Sequence, residues 1–518
     1  MTALKLRIPS FPPALWGLVV AYVAIAINTT VVSVALPPIT KSLHVRADQL
    51  TWIVNCTPLS ASALMLFAGF WCQKFGHKRV LITGMCILMI SCVGSSMVQH
   101  VDQLIAFRTF SGVGSALVMP SALVMSYQVV EESMRRTAIG LITAAQAIGG
   151  LIGPLIGGLL ISYISWRLSL VAIAPLVLFA IVVVVREAPS DSVTLSQKTE
   201  KSDVFAALYT ACVGTFAIVF LVSLTAAEAI NTAQMMLLFL LAASLFLLVR
   251  HERKFVNPLF RWHQLKKPAF LMPTLIVIAV QFVYGGCIFL NMQYLQLVVG
   301  MTAFHASFFV VASTLVWILC SSFVSPLSKR LGQNALAIAG LLLASVGYGL
   351  MGTAGTSPNL PLLMIGFILS GCVGVEPAIM IYGILGTYDS DRRSIGASLN
   401  TMLMRYGLSS GIAVSGLILS WAYLPQVLPL NGSLDLVQQK LVRGSLGGAI
   451  NVSASLGGEA GEALLEAAKQ GFASGYHNFF MISIVLYVAC SALIASNSLS
   501  RSRPWILHLS AHPFARKS

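Results

Sequence analysis

Apolar runs of about twenty residues recur fourteen times along this chain, centred near residues 25, 61, 89, 115, 150, 176, 215, 240, 282, 316, 345, 373, 408 and 486. A run of that length spans the hydrocarbon core of a bilayer as a helix. The chain is 57% hydrophobic and only 9% charged, with a mean hydropathy of +0.85. Soluble domains carry about 25% charged residues. The expected fold is therefore an all-α polytopic membrane protein with fourteen transmembrane helices. The first run follows Lys5 and Arg7 but ends in VALPPI without a small-residue cleavage site, so it reads as a spanning helix and not a removed leader.

Loop charges set the orientation. With both termini on one side, 24 of the 32 Lys and Arg residues fall in the loops and tails of that side and six on the other; Arg108 and Arg405 lie inside apolar runs. The positive-inside rule makes the richer side cytoplasmic, and a shift of one helix would scramble the asymmetry. The expected location is the plasma membrane (the inner membrane in a Gram-negative cell), with both termini cytoplasmic. The net charge of +15 is a topology signal spread over short loops, so a nucleic-acid partner is not expected. Nine cysteines, mostly in apolar runs and never spaced as CxxC, form neither a disulfide framework nor a metal site. No phosphate loop or nucleophile elbow points to an enzyme, and no cofactor is expected.

The two halves echo each other. FGHKRVLITG (75–84) and LGQNALAIAG (331–340) share glycine spacing at an offset of 256. Gly149, Gly153 and Gly157 align with Gly407, Gly411 and Ser415 at 258, and SGVGSALVMP near Ser111 is echoed by SGCVGVEP near Ser370. These landmarks divide the chain into a six-helix bundle over 1–185, an inserted hairpin with its flanking loops over 186–269, a second bundle over 270–496 and a basic tail over 497–518. The hairpin reads as peripheral. In the external stretch 425–475, EAGEALLEAAKQGF (459–472) reads as an amphipathic helix lying on the outer surface. Repeats of this kind build many transporters, with substrate held between the halves.

GGLIGPLIGGLL (149–160) sets Gly149, Gly153 and Gly157 in one row of a helix, and Gly150, Pro154 and Gly158 in the next. So bare a helix admits a neighbouring backbone closely, and Pro154 favours a kink. Helix packing alone would account for a shorter stripe.

This stripe resembles the antiporter motif of major facilitator superfamily exporters, and three further motifs support the likeness. INTTVVSVALP (27–37) is similar to LDxTxxNVALP, GFWCQKFGHKR (69–79) to GxLaDrxGrkr, and RTFSGVGSA (108–116) to RxxQGxGaA. SWRLSLVAIAP (165–175) also resembles a segment of the fourteen-spanner drug:proton antiporter branch. The resemblance implies two six-helix bundles plus an inserted hairpin, exporting small amphiphilic compounds in exchange for protons. The partners implied are those compounds, protons and the lipid bilayer and, in a Gram-negative cell, a periplasmic adaptor and an outer-membrane channel. It also implies that Gly69, Gln73, Gly76, Lys78 and Arg79 form a gating loop; topology marking alone also explains the basic residues. Three departures stand out. Asn28 replaces the family's first-helix acid, Ser33 its partner Asn, and Gln73 the loop Asp. Asn28 cannot carry a proton.

Among 17 acids, only Glu376 sits well inside an apolar run. A carboxylate there is costly, so it is protonated, paired or wet. Glu376 and Arg405 are an expected ion pair, either a proton or charge site or a static clamp between helices. Arg108 falls on the family's coupling arginine; bonding to helix-end carbonyls is its plainer role. Asn28, Trp52, Asn55, Gln281 and Tyr284 are the candidates for lining a substrate cavity. Asn291, Gln293 and Tyr294 share the run of Gln281 and Tyr284 but lie less deep; the tyrosines and Trp52 read equally as residues of an interfacial belt. Two rival functions stay open: an uncoupled exporter of one metabolite, made credible by Asn28, and a non-transporting sensor or scaffold.

Overall fold

The computed structural model describes residues 11–43, 45–190, 203–226, 231–254, 268–375, 393–429 and 434–499. All regular structure among them is helical. The first half comprises α1 (Pro13–Leu43), α2 (Ala47–Phe75), α3 (His77–Met97), α4 (Val101–Gln128), α5 (Arg135–Tyr163) and a sixth span made of α6 (Trp166–Val171) and α7 (Ala174–Glu187). The inserted pair is α8 (Val204–Ser223) and α9 (Thr232–Lys254). The second half runs through α10 (Pro268–Gln293), extended by a π-helical turn to Val298, then α11 (Ala303–Leu331), α12 (Gln333–Gly352) and α13 (Leu360–Ser370) with its 3-10 extension to Gly374. It ends in α14 (Arg393–Val427), α15 (Leu436–Gly444), α16 (Leu446–Leu456) and α17 (Gly458–Leu499). Thirteen of these segments are long and apolar enough to span a membrane. The fourteenth expected span is described as the shorter apolar stretch Leu360–Gly374.

The repeat is visible atom by atom. Gly76 (φ 94°, ψ 149°) joins α2 to α3, and Gly332 (φ 82°, ψ 148°), 256 residues on, joins α11 to α12 with nearly the same backbone. A side chain at either place would be strained, which is why both joints are glycine. Gly84 packs against the Gly114 carbonyl of α4, and its counterpart Gly340 against the Cys372 carbonyl after α13. Gly112 meets the Thr57 carbonyl of α2, and Gly371 the Ser313 carbonyl of α11. Each pair keeps one helix–helix approach in both halves.

Two expectations change. The segment 459–472 is not a separate surface helix; it is the first third of the 42-residue α17. No proline separates it from the last span. Gly461 seats it on Ser453 of α16, while Gly471 and Gly475 seat it on Tyr423 and Leu419 of α14. The hairpin is peripheral only in part. α9 is largely uncovered, but α8 packs against α2 of one half and α14 of the other. There Gly214 receives the Tyr406 ring, and Leu59, Ile218, Val222 and Ala413 form a small core with Trp52 beside it.

Candidate functional site

The spans carry few polar groups, so the ones they bury stand out. Arg108, near the start of α4, is 2% exposed. Its Nη1 donates to the backbone carbonyl of Asn28 at 3.1 Å and to Asn28 Oδ1 at 2.9 Å, while its Nε has no hydrogen-bond partner. Asn28 Nδ2 donates in turn to Ser111 Oγ at 2.6 Å, and Thr57 Oγ1 to the Arg108 carbonyl at 2.9 Å. Four elements of chemistry thus meet inside the first half: a guanidinium, an amide and two hydroxyls. A charge buried this way normally has a counter-ion. Here the position facing it holds a neutral amide.

Arg405 stands at the boundary between the halves. Its Nη2 lies 3.3 Å from Met119 Sδ of α4, a weak acceptor. The phenols of Tyr22 (α1) and Tyr284 (α10) are close enough to feel its charge. Tyr22 donates to the Met119 carbonyl at 2.6 Å. Tyr284 is 47% accessible although it lies midway along a span. Glu376, the expected partner of Arg405, lies outside the described residues.

The glycine stripe has two neighbours. Gly149, Gly153 and Gly157 rest on α1 within the same half, against Val23 and Ala26, Ile27 and Thr30, and Val31. The next row belongs to the other half. Ser307 Oγ of α11 donates to the Pro154 carbonyl at 2.7 Å, Gly158 lies against Ala303, Phe304 and Ser307, and the Phe304 amide donates to Ser162 Oγ at 3.1 Å. Further along the same row, toward the Arg135 end, Gly150 has open space where a Cβ would go and Gln146 is exposed. The seam between halves is therefore zipped at 154–158–162 and unzipped at 146–150.

The second half repeats the device. Gly407 and Gly411 rest on Ile278 and Phe282 of α10, whereas Gly416, one residue beyond the row, meets Thr51 of α2 across the boundary. Below it, Ser409 Oγ donates to Asn55 Oδ1 of α2. The face carrying the few basic loops is closed further by Gln296 Nε2, which donates to the Val34 carbonyl at 3.1 Å, and by Gly447 of α16, which lies against Thr40. Among the described residues, the row of α5 that faces the second half is engaged toward the sparsely basic face and has open space at Gly150 toward the richly basic one.

The remaining candidates are placed as follows. Asn55 is fully buried at the closed α2–α14 seam, and its Nδ2 has no partner. Trp52 packs beside the α8 core, and Gln281 lies against Gly407. Asn291 accepts from Tyr476 at 3.2 Å, Gln293 donates to the Phe289 carbonyl at 2.7 Å, and Tyr294 stacks on Tyr476 with ring centres 4.2 Å apart, all within the second half. The expected gating loop is reduced to the Gly76 joint, with Gly69 and Gln73 in α2 and Lys78 and Arg79 in the first turn of α3; Lys78 Nζ donates to the Val185 and Ala188 carbonyls at 3.0 and 2.7 Å, so it closes the C-terminal end of α7. Gln73 and Arg79 are exposed on the basic face, and Gly69 has open space around it. Gln146, Tyr22 and Met119 are additions. Only Gln146 left a trace in the sequence, four residues before Gly150 in the same helical row.

Two pseudo-repeated helical halves that close at one face and part at the other, around a few buried polar groups, define a membrane transporter of the two-bundle kind. The family model for the Major Facilitator Superfamily matches residues 18–414, and the chain belongs to that family. It is a multi-pass transport protein and not an enzyme. Among curated relatives, it is 24% identical over 469 residues to the methyl viologen resistance protein SmvA of Salmonella typhimurium, covering 88% of this chain and 92% of that one. It is 24% identical to the multidrug efflux pump LfrA of Mycolicibacterium smegmatis, with 93% and 95% covered. It is 23% identical to the tetracenomycin C resistance and export protein of Streptomyces glaucescens, with 93% and 91% covered. Among solved structures, a bacterial homologue of the human lysosomal transporter Spinster, described as inward-facing and unoccupied, superposes with a TM-score of 0.65 at 17% identity, covering 93% of this chain and 97% of that one.

Proposed function

We propose that this transporter exports small amphiphilic compounds (drugs, biocides or secreted metabolites) by alternating access. The observation that carries the reading is the half-zipped seam: one helical row of α5 is engaged at Pro154, Gly158 and Ser162 and free at Gly150 and Gln146. A rigid rocking of the halves would release the first part and engage the second. With the richly basic face on the cytoplasmic side, the present arrangement is the inward-open one. Drug-resistance and efflux roles in the names of the relatives support the direction and the substrate class.

Coupling has two readings. In the first, Glu376 takes up protons that move inward as the compounds are expelled. In the second, transport is uncoupled from protons, and the neutral Asn28 at Arg108 favours it, because the side chain facing that arginine has no proton to exchange. Uptake of a lipophilic dye into inside-out vesicles tests both. Accumulation that collapses with the pH gradient, and is lost in Glu376→Gln, supports antiport. Accumulation indifferent to both supports the uncoupled exporter, and no uptake across a broad panel overturns export.

A further inference from the structure

The charge inside the spans is lopsided. Arg108 and Arg405 both lie within apolar runs, and Glu376 is the single acid of the whole sequence that does. Even with that carboxylate ionised, the spans carry one more positive group than negative. Nor does local hydrogen bonding neutralise it. Arg108 is held by an amide and a carbonyl, and Arg405 reaches a thioether. Among the described residues, neither guanidinium has a carboxylate within salt-bridge distance. A cation in excess of the acids at this depth is costly and marks the path of something that neutralises it.

Of the two, Arg405 has the geometry to receive a ligand. It sits at the boundary between the halves, about 18 Å along α14 from Arg393 at 1.5 Å per residue. Met119 joins it to Tyr22, whose phenol donates to the Met119 carbonyl at 2.6 Å, and Tyr284 is 47% accessible. A guanidinium offers several donors in a planar fork, matching the oxygens of a carboxylate, sulfonate or phosphate ester. The rings and Met119 supply apolar surface for the rest of an amphiphile.

We propose that the cargo is an organic anion whose charged head docks on Arg405 at the boundary between the halves, and that the membrane potential drives it out. This rests on the export reading above and names its substrate class. An anion leaving a cell whose interior is negative moves down the electrical gradient, worth about fiftyfold accumulation per 100 mV for a single charge. No exchanged proton is needed. The neutral residue at position 28 and the surplus positive charge then have one explanation.

The full-length protein reconstituted in liposomes tests this with three probes of one shape: naphthalenesulfonate, neutral naphthalenesulfonamide and a naphthylmethyl trimethylammonium cation. A valinomycin–potassium potential, positive inside and without a pH gradient, is expected to drive uptake of the sulfonate, and reversing the potential to expel it. Arg405→Gln is expected to cut the ratio of sulfonate to sulfonamide flux by about tenfold or more, the worth of a charge-assisted hydrogen bond. Arg405→Lys, which keeps the charge, is expected to hold that ratio within about threefold. Preference for the cation, a sulfonate flux blind to voltage, or an unchanged ratio in Arg405→Gln overturns the proposal while leaving export standing. No flux of any probe overturns both.

Discussion

The two glycine rows of α5 face different neighbours, and under the proposed rocking of the halves the contrast separates contacts that stay from contacts that move. Gly149, Gly153 and Gly157 join α5 to α1 inside one half, where nothing needs to part. The row of Gln146, Gly150, Pro154, Gly158 and Ser162 faces the other half and is engaged over only part of its length. On α14 the division recurs, with Gly407 and Gly411 on α10 and Gly416 on α2. Small residues thus serve two purposes at adjacent positions. In the first row they allow permanent close approach. In the second they allow contact that can be broken, since glycine and serine leave little interdigitated side chain to unlock.

The first row is expected to respond to substitution by losing stability. A methyl group at Gly411 would lie 1.8 Å from the Phe282 carbonyl oxygen and 2.9 Å from the Phe282 Cα, both backbone. Neither atom can turn aside, so α14 must shift away from α10. Overpacking of this kind costs about 1–3 kcal/mol, more where the backbone resists. Gly411→Ala should therefore show the largest effect, a lower midpoint of thermal unfolding in detergent and a reduced yield of folded protein. Gly153→Ala should cost less, because its nearest contact, 2.2 Å away, is the Thr30 hydroxyl, which can rotate. Equal losses at the two sites would mean that the α10–α14 contact is softer than its geometry implies.

Much of this architecture is legible in the sequence, and the rest is hidden for definable reasons. Hydropathy marks each span, because a bilayer imposes one length on every crossing. The constant offset between Gly76 and Gly332 marks the repeat, because a left-handed joint requires glycine in both halves. Arg108 is visible through its motif, whereas its neutral setting needs the fold to bring Asn28 and Ser111 beside it. Four-residue spacing tells which glycines share a face of α5; it cannot tell whether α1 or α11 lies opposite. The amphipathic pattern of 459–472 is real, but its apolar side covers α14 and α16. Arg405 and Tyr22 lie almost 400 residues apart in sequence, and no local pattern could have paired them.

The second row is expected to alter conformational balance more than stability. At Gly158 a Cβ would come within 2.4 Å of Ser307 Oγ and 2.8 Å of the Ala303 carbonyl, both across the seam. The clash exists only while this end is zipped. Gly158→Ala should disfavour the present arrangement and populate its opposite by roughly fivefold to tenfold, the effect of about 1 kcal/mol on a two-state balance. Gly416→Ala, against Thr51, should act in the same direction. Distance measurements between spin labels on α5 and α11 at the sparsely basic face would show a growing long-distance population. An unchanged distribution with a lowered unfolding midpoint would place this seam among the permanent contacts.

Gly150 gives the smallest effect and the sharpest test of the contrast. It shares the row of Gly158 but has open space where its Cβ would stand, so alanine there should leave the unfolding midpoint within about 0.5 kcal/mol of the parent. Alanine is also the better helix former by up to about 1 kcal/mol, which offsets minor losses. Its consequence should appear only in the opposite state, where rocking would bring this part of the row against α11. Gly150→Ala should then shift the balance the other way from Gly158→Ala, toward the arrangement already seen, and slow turnover without weakening the protein. Opposite shifts from two alanines eight residues apart on one helix require a seam that zips alternately at its two ends. Shifts of the same sign would mean that α5 meets α11 at one end only, and that the halves part by some other motion.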